Sequence, residues 1–279
     1  MISNQSIRKA CAVFFLLGSA GWQLGCKPDA AVKQPGTVGR GTVDTQPPAP
    51  NAPASATVAT VPTQPPGSIS GTIFFKGKAP VGTIDTSMDP ACGFGPHGGK
   101  LPVEQYVVKN GALANVFLYV KSGPPEAMHG GAIPSAPVVL DQTDCQYVPH
   151  VVGVMAGGYV EFRNSDPTMH NIHTNPTDIG NETIDISQSP KGQAVTKQFA
   201  KPELMIPVRC NNHPWMNAFI NVSATPYFAV SDANGKFSLS GLPPGDYVIG
   251  SVHEKMGEKT MQVTVGSGGV AKAEFSFAQ

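Results

Sequence analysis

The sequence predicts an all-β protein of two β-sandwich or barrel units behind an unstructured leader. Three observations carry this. Short apolar runs alternate with turn signals from Gly67 onward, and no segment sustains the period of an amphipathic helix. The 279 residues also include 31 glycines and 27 prolines, with only 14% charged side chains, which suits many short strands joined by turns. The 19 basic and 19 acidic residues cancel, so there is no electrostatic case for nucleic acid or an anionic membrane surface as a partner.

Residues 1–26 read as an export signal. Arg8 and Lys9 precede the apolar run "ACAVFFLLGSA", which is too short to span a bilayer. Cleavage after "GSA" would release a soluble protein in the periplasm or outside the cell. The stretch "QLGC" instead resembles the lipobox of bacterial lipoproteins, with Cys26 bearing the lipid, although Leu24 sits one place nearer the cysteine than usual. Either route takes the mature chain out of the cytoplasm. Residues 27–66 hold nine prolines and no aromatic residue, so they are expected to stay extended as a disordered linker. A lipid at Cys26 would make that linker a membrane tether.

Eleven strands are predicted from there on. In order they are "SISGTIFF", "ANVFLYVK", "APVVL", "GGYVEFRN", "AVTKQFA", "ELMIPVRC", "AFINVS", "KFSLSGL", "DYVIGSV", "KTMQVTV" and "AEFSF". In the tail, "DANG" and "LPPG" supply turn chemistry between alternating strands. This pattern resembles the carboxypeptidase regulatory-like (transthyretin-like) β-sandwich through Phe228, Asp232, Gly235, Phe237, Leu242 to Gly245 and Tyr247. The opening strand of that family, "G-x-I-x-G-x-V", does not directly precede the tail. "GSISGTI" occurs far upstream instead. A split sandwich over 67–137 plus 225–279 is therefore expected, with a second domain at 138–224 inserted in it. Two domains in series, packed beside one another, is the alternative.

The middle segment concentrates the metal chemistry. Cys210, His213 and Met216 lie three residues apart in "RCNNHPWM", and "HNIH" lies forty residues upstream. Two imidazoles and a thiolate with a weak thioether are the donor set of a blue-copper site. In extended chain His170 and Ile172 share one face, while Asn171 and His173 share the other. Ile172 is expected in the core, so His170 faces inward with it, and His173 is left as a surface or supporting residue. The rows Leu204, Ile206, Val208, Cys210 and Ala218, Ile220, Val222 point the two sulfurs toward one end of a barrel.

Residues 138–224 look like a cupredoxin, a Greek-key β-barrel, and are closest in loop spacing to the amicyanin type. The likeness rests on "HN" at His170 and Asn171 and on "C-x-x-H-P-W-M" from Cys210 to Met216. It implies one type 1 copper held by His170, Cys210, His213 and Met216, with Asn171 tying the ligand strand to the cysteine loop. It also implies single-electron transfer through the exposed edge of His213. Pro214 and Trp215 flank that edge, and Trp215 reads equally as docking surface or as packing beneath the loop. Zinc is the competing metal, although a methionine is a poor ligand for it. A barrel that keeps its shape without metal is the bland reading.

Cys11 leaves with the signal, so Cys92 and Cys145 remain as a pair, and a disulfide between them is expected in an oxidising compartment. The competing use of "CGFGPHGG" is a second metal site from Cys92 and His97. His150 reads as structural, and His97, His129 and His253 as surface residues, with Glu254 in a solvated turn. Seven scattered histidines argue against a multicopper enzyme. The expected role is an electron carrier at the cell envelope with a redox protein as partner. A copper carrier, or a non-redox envelope binding module, is the alternative.

Overall fold

The computed structural model describes residues 64–279. The readings placed on the 1–26 signal, on Cys26 and on the linker up to residue 63 lie outside the described residues. The first stretch contains β1 (Gly67–Lys76), β2 (Thr83–Asp85), the single-turn helix α1 (Pro90–Gly93), β3 (Lys100–Pro102), β4 (Val108–Lys109), β5 (Ala112–Leu113), β6 (Phe117–Ser122) and α2 (Pro125–Met128). Then come β7 (Val138–Thr143), β8 (Gln146–Val148), β9 (Val151–Met155), β10 (Tyr159–Asn164), β11 (His170–Thr174), β12 (Asp185–Gln188), β13 (Val195–Gln198), β14 (Glu203–Arg209) and β15 (Asn217–Ser223). The chain finishes with β16 (Phe228–Val230), β17 (Lys236–Leu242), β18 (Gly245–His253), β19 (Gly257–Val265) and β20 (Val270–Ala278).

The fold is all-β, and strands from both ends of the described chain share sheets. In one sheet β1 pairs antiparallel with β17 and with β5, and parallel with β20, while β4 extends the edge beyond β5. The facing sheet runs β16–β6–β18–β19. Between them lie Ile69, Ile73, Leu118, Leu239, Ile249 and Phe277, each nearly or wholly removed from water. They sit at alternate positions on their strands, as a two-faced sheet requires. The close approach of β1 to β20 depends on Gly71, where a Cβ would fall 1.6 Å from the Ala273 carbonyl oxygen. The "DANG" turn is closed by Asp232, whose Oδ1 accepts the amides of Asn234 and Lys236, each at 2.8 Å. Gly235 then takes the left-handed conformation, with φ of 68°.

Strands β7 to β15 pair among themselves. They make one sheet in the order β13–β10–β7–β8 and another in the order β12–β11–β14–β15–β9. Ile206, Val208, Ala218, Ile220 and Val222 face the space between, with Leu140 and Phe162 from the other sheet. Leu204 departs from the expected inward row. Pairing shifts register between Glu203 and Ile206, and Met205 has a φ of 54°, so Leu204 packs at a different seam. That seam joins the two pairs of sheets and is centred on Phe117, Val151 and Val252.

Each of the eleven predicted strands overlaps an observed one. The strands not foreseen have only two to five residues. Two expectations about the C-terminal region are corrected. His253 is 2% exposed and stacks on Tyr106 at 5.7 Å, and burial pulls its imidazole down to about 4. Glu254 is also buried and receives a 2.7 Å hydrogen bond from His150 Nε2. The β18–β19 turn folds against its neighbours, a long-range contact that the local residues do not announce.

His150 is the polar rivet of the seam. It begins β9's side of the junction, while Glu254 and Glu104 come from the other pair of sheets, the latter with its carboxylate 3.5 Å from Nδ1. Burial pulls the imidazole down, but the two carboxylates outweigh this and raise it to about 9. A folded-state value above the ordinary 6.5 means that stability is fully present below pH 6.5 and is lost as pH rises through 9. About 3 kcal/mol is expected to disappear over that window. Thermal melts from pH 6 to 9.5 should show the decline, and His150→Leu should flatten it. Gly71→Ala is expected to force β1 from β20 and cost roughly 1–3 kcal/mol, read as a lower denaturant midpoint.

Candidate metal centre

The turn from β10 into β11 is built to aim one imidazole. The Asn164 side-chain amide donates to the carbonyls of Thr168, Gln188 and Ser189, and its Oδ1 accepts the Asp166 amide. Asp166 in turn accepts the amides of Asp144 at 2.7 Å and Cys145 at 2.8 Å. The same carboxylate takes the Nε2–H of His170 at 2.8 Å. With Nε2 so engaged, the lone pair of the neutral ring lies on Nδ1, which points into the barrel. His170 and Ile172 are both fully buried, whereas the His173 side chain is 37% exposed.

The second part of the site is the short loop between β14 and β15. Its ends are pinched together by the Cys210 amide donating to the Met216 carbonyl, and the Met216 amide donates to the His213 carbonyl. Cys210 and Met216 are buried in the same core cluster. The Cys210 sulfur accepts the Asn171 amide at 3.3 Å. The Asn171 side chain donates to Asp185 and to the Ile186 carbonyl, and its Oδ1 accepts the Asn211 amide at 3.4 Å, which ties the ligand strand to the cysteine loop. Tyr147 donates its hydroxyl to the Asn171 carbonyl.

One ligand atom each from His170, Cys210 and His213 lies within 4.8 Å of the others. The two Nδ1 atoms are 2.9 Å apart, and the sulfur is 3.6 Å from His213 Nδ1. His213 Nε2 is also engaged, by Asp89 Oδ2 at 2.9 Å. Two imidazole lone pairs and a sulfur therefore face one point, an arrangement that repels itself unless a proton or a cation lies between them. Burial pushes the Cys210 thiol up, but donors from His170, His213 and the amides of Asn171 and Asn212 outweigh it and bring the thiol down to about 5. Burial pulls His170 down, yet Asp166 and Cys210 raise it to about 8. His213 is likewise raised against burial by Cys210 and Asp89. A proton shared within the cluster relieves the repulsion between the facing donors, and a soft or borderline cation fits the same position.

The outer histidine departs from the expected exposed edge. His213 is only 4% exposed because residues 86–99 reach over it. This arm is fixed by the disulfide between Cys92 and Cys145. Asp89 caps α1 by accepting the Ala91 amide at 2.7 Å with its other oxygen. Two further groupings, Asp89–Cys92–His213 and Cys145–Asp166–His170, satisfy the same spacing, but their cysteines are in the disulfide and have no thiolate to offer. For the same reason Cys92 and His97 do not make a second site. His97 instead lies 3.9 Å from Asp144 on the surface.

Trp215 is half-buried. Its indole N–H donates to the Cys145 carbonyl at 3.1 Å, and its ring lies 5.0 Å from that of His213. Pro214 is exposed, and Met88 and Met169 share the dish around His213 with it and Trp215. Neither Asp89 nor Asp166 belongs to a motif in the sequence. Asp166 carries a weak local signal, four residues before His170, whereas Asp89 is 124 residues from the histidine it touches.

No protein-family model and no curated protein matches the chain. Among solved structures, a copper-containing nitrite reductase from Thermus scotoductus is 22% identical over 35% of this chain, with a TM-score of 0.29. The aligned part spans 26% of that reductase, about a quarter of its length. Amicyanin from Paracoccus versutus is 20% identical over 38% of this chain and 96% of its own, with a TM-score of 0.28. An amicyanin variant in its Cu(I) form is 20% identical over 38% and 97%, also at 0.28. The likeness reaches little more than a third of the chain, and the site is argued from its own residues.

Asn171→Ala is expected to release the cysteine loop from β11. It should cost about 1–3 kcal/mol and increase amide exchange at Asn211 and Asn212 in the metal-free protein. Unchanged exchange there would show that the backbone bonds alone hold the loop.

Proposed function

We propose that this chain is an exported type 1 copper protein that carries single electrons at the bacterial cell envelope. The observation that carries the reading is the convergence of His170 Nδ1, His213 Nδ1 and the Cys210 sulfur in a pocket that excludes water, with Met216 buried beside them. Copper bound there would supply reversible one-electron chemistry between Cu(II) and Cu(I). The methionine in the loop favours copper over zinc as the occupant. On this reading residues 138–224 form the copper-binding domain, inserted in a sandwich made of 67–137 and 225–279.

The residues divide the work. His170 and His213 are each held from behind by a carboxylate, so neither ring can turn when the charge at the centre changes. Cys210 accepts the backbone N–H groups of Asn171 and Asn212, which draw charge from its sulfur and favour the reduced state. Burial of the donors at 4% exposure or less keeps water from reorganising around the centre. The protein acts as a carrier rather than an enzyme. Its partner is a second redox protein, which meets the rim of Met88, Met169, Pro214 and Trp215 over His213. A lipid on Cys26, with residues 27–66 as tether, would keep the exchange at a membrane surface.

The test is reconstitution of the full chain with Cu(II). An intense visible thiolate-to-copper band and a narrow copper hyperfine splitting in EPR are expected, and Cys210→Ser should abolish both. A colourless protein, or colour that survives Cys210→Ser, would sink the reading.

A further inference from the structure

The sandwich contributes to the metal centre in a way that the donor set does not require. The arm 86–99 leaves the sandwich between β2 and β3 and lays Asp89 against the outer edge of His213. Asp89 Oδ2 accepts both the imidazole N–H at 2.9 Å and the Thr168 hydroxyl at 3.3 Å, and Oδ1 is fixed by the Ala91 amide. Both oxygens of the carboxylate are therefore engaged by protein.

The disulfide completes the arrangement. Cys92 is in α1, which Asp89 caps, and its partner Cys145 donates its amide to Asp166, the carboxylate behind His170. The bridge thus links the helix that Asp89 caps to the β7–β8 turn, whose amides hold the carboxylate behind His170. Without it, nothing covalent holds the arm over the barrel. A buried imidazole with its remote N–H on a carboxylate is fixed in one tautomer and one orientation, and it becomes a more basic ligand through its other nitrogen.

We propose that Asp89 is a positioning residue of the metal centre, delivered to His213 by the 86–99 arm and kept there by the Cys92–Cys145 disulfide. The inference rests on the copper reading above for the identity of the metal, but not for the role of Asp89. The carboxylate makes His213 a stronger donor and so favours the higher oxidation state. It also resists loss of the ring from the metal. The outer edge of His213 is covered by the chain itself, which leaves the rim of Met88, Met169, Pro214 and Trp215 as the surface next to the ring.

Full-chain variants separate these effects. Asp89→Asn keeps an acceptor but removes the charge, so the blue band should persist while the reduction potential rises. Asp89→Ala removes both, and transfer of copper to a chelator should accelerate about 10- to 100-fold. Replacing both disulfide cysteines, Cys92→Ser with Cys145→Ser, should accelerate release in the same way. Adding Asp89→Ala to that pair should change little more, because the two act through one contact. Potentials and release rates equal to those of the parent in Asp89→Asn and Asp89→Ala would overturn the proposal. If the parent binds copper without a blue band, the copper reading fails alone, and Co(II) becomes the probe. A 10- to 100-fold weaker Co(II) affinity in Asp89→Ala would still support the positioning role, and equal affinity would refute it.

Discussion

Two imidazole nitrogens and a cysteine sulfur are held facing one another in a pocket closed to water, and the surrounding structure exists to maintain that unfavourable convergence. In isolation the three groups would turn apart or fill the gap with a proton. Here they cannot turn. Asp166 and Asp89 occupy the remote nitrogens, the Asn171 amide occupies the sulfur, and strand backbones fix the Cα positions. Preorganisation of this kind is what a site must have if its occupant is to change charge without moving its ligands.

The constraint reaches beyond the barrel. The β10–β11 turn is satisfied internally by Asn164, and its carboxylate is satisfied by the left-handed pair Asp144 and Cys145. Cys145 then continues through the disulfide into the arm that presents Asp89. On the opposite flank, His150 is paired with Glu104 and Glu254 across the seam. The sheets of β7 to β15 are therefore attached to the flanking ones by a covalent bridge, a buried ion cluster and an apolar seam. Loops of the flanking segments thus supply Asp89, Glu104 and Glu254, which hold the centre and its frame.

Much of the site is legible in the residues because its logic is local. Alternation over four residues of "HNIH" separates His170 from His173, and the structure leaves one fully buried and the other partly exposed. The spacing of Cys210, His213 and Met216 compresses three candidate donors into one tight loop, so their proximity needs no tertiary knowledge. Leu204 marks where this logic stops. The bulge at Met205 shifts the register, and an inward-facing row read by strict period two loses its first member.

The amino-acid sequence was sufficient for the all-β class, for the long strands and for naming the residues that converge at the candidate centre, since alternation, turn chemistry and residue spacing all act within a few residues. It carried no sign of the carboxylates behind the histidines, and it pointed the wrong way on the burial of His253 and Glu254 and on the covering of His213. Asp89 caps a one-turn helix, and nothing in "DPACG" distinguishes it from any other cap. Its second role arises because sheet packing and a disulfide bring it to a ring 124 residues away. Contacts of that kind depend on where whole elements settle against each other, a property that no short run of residues encodes.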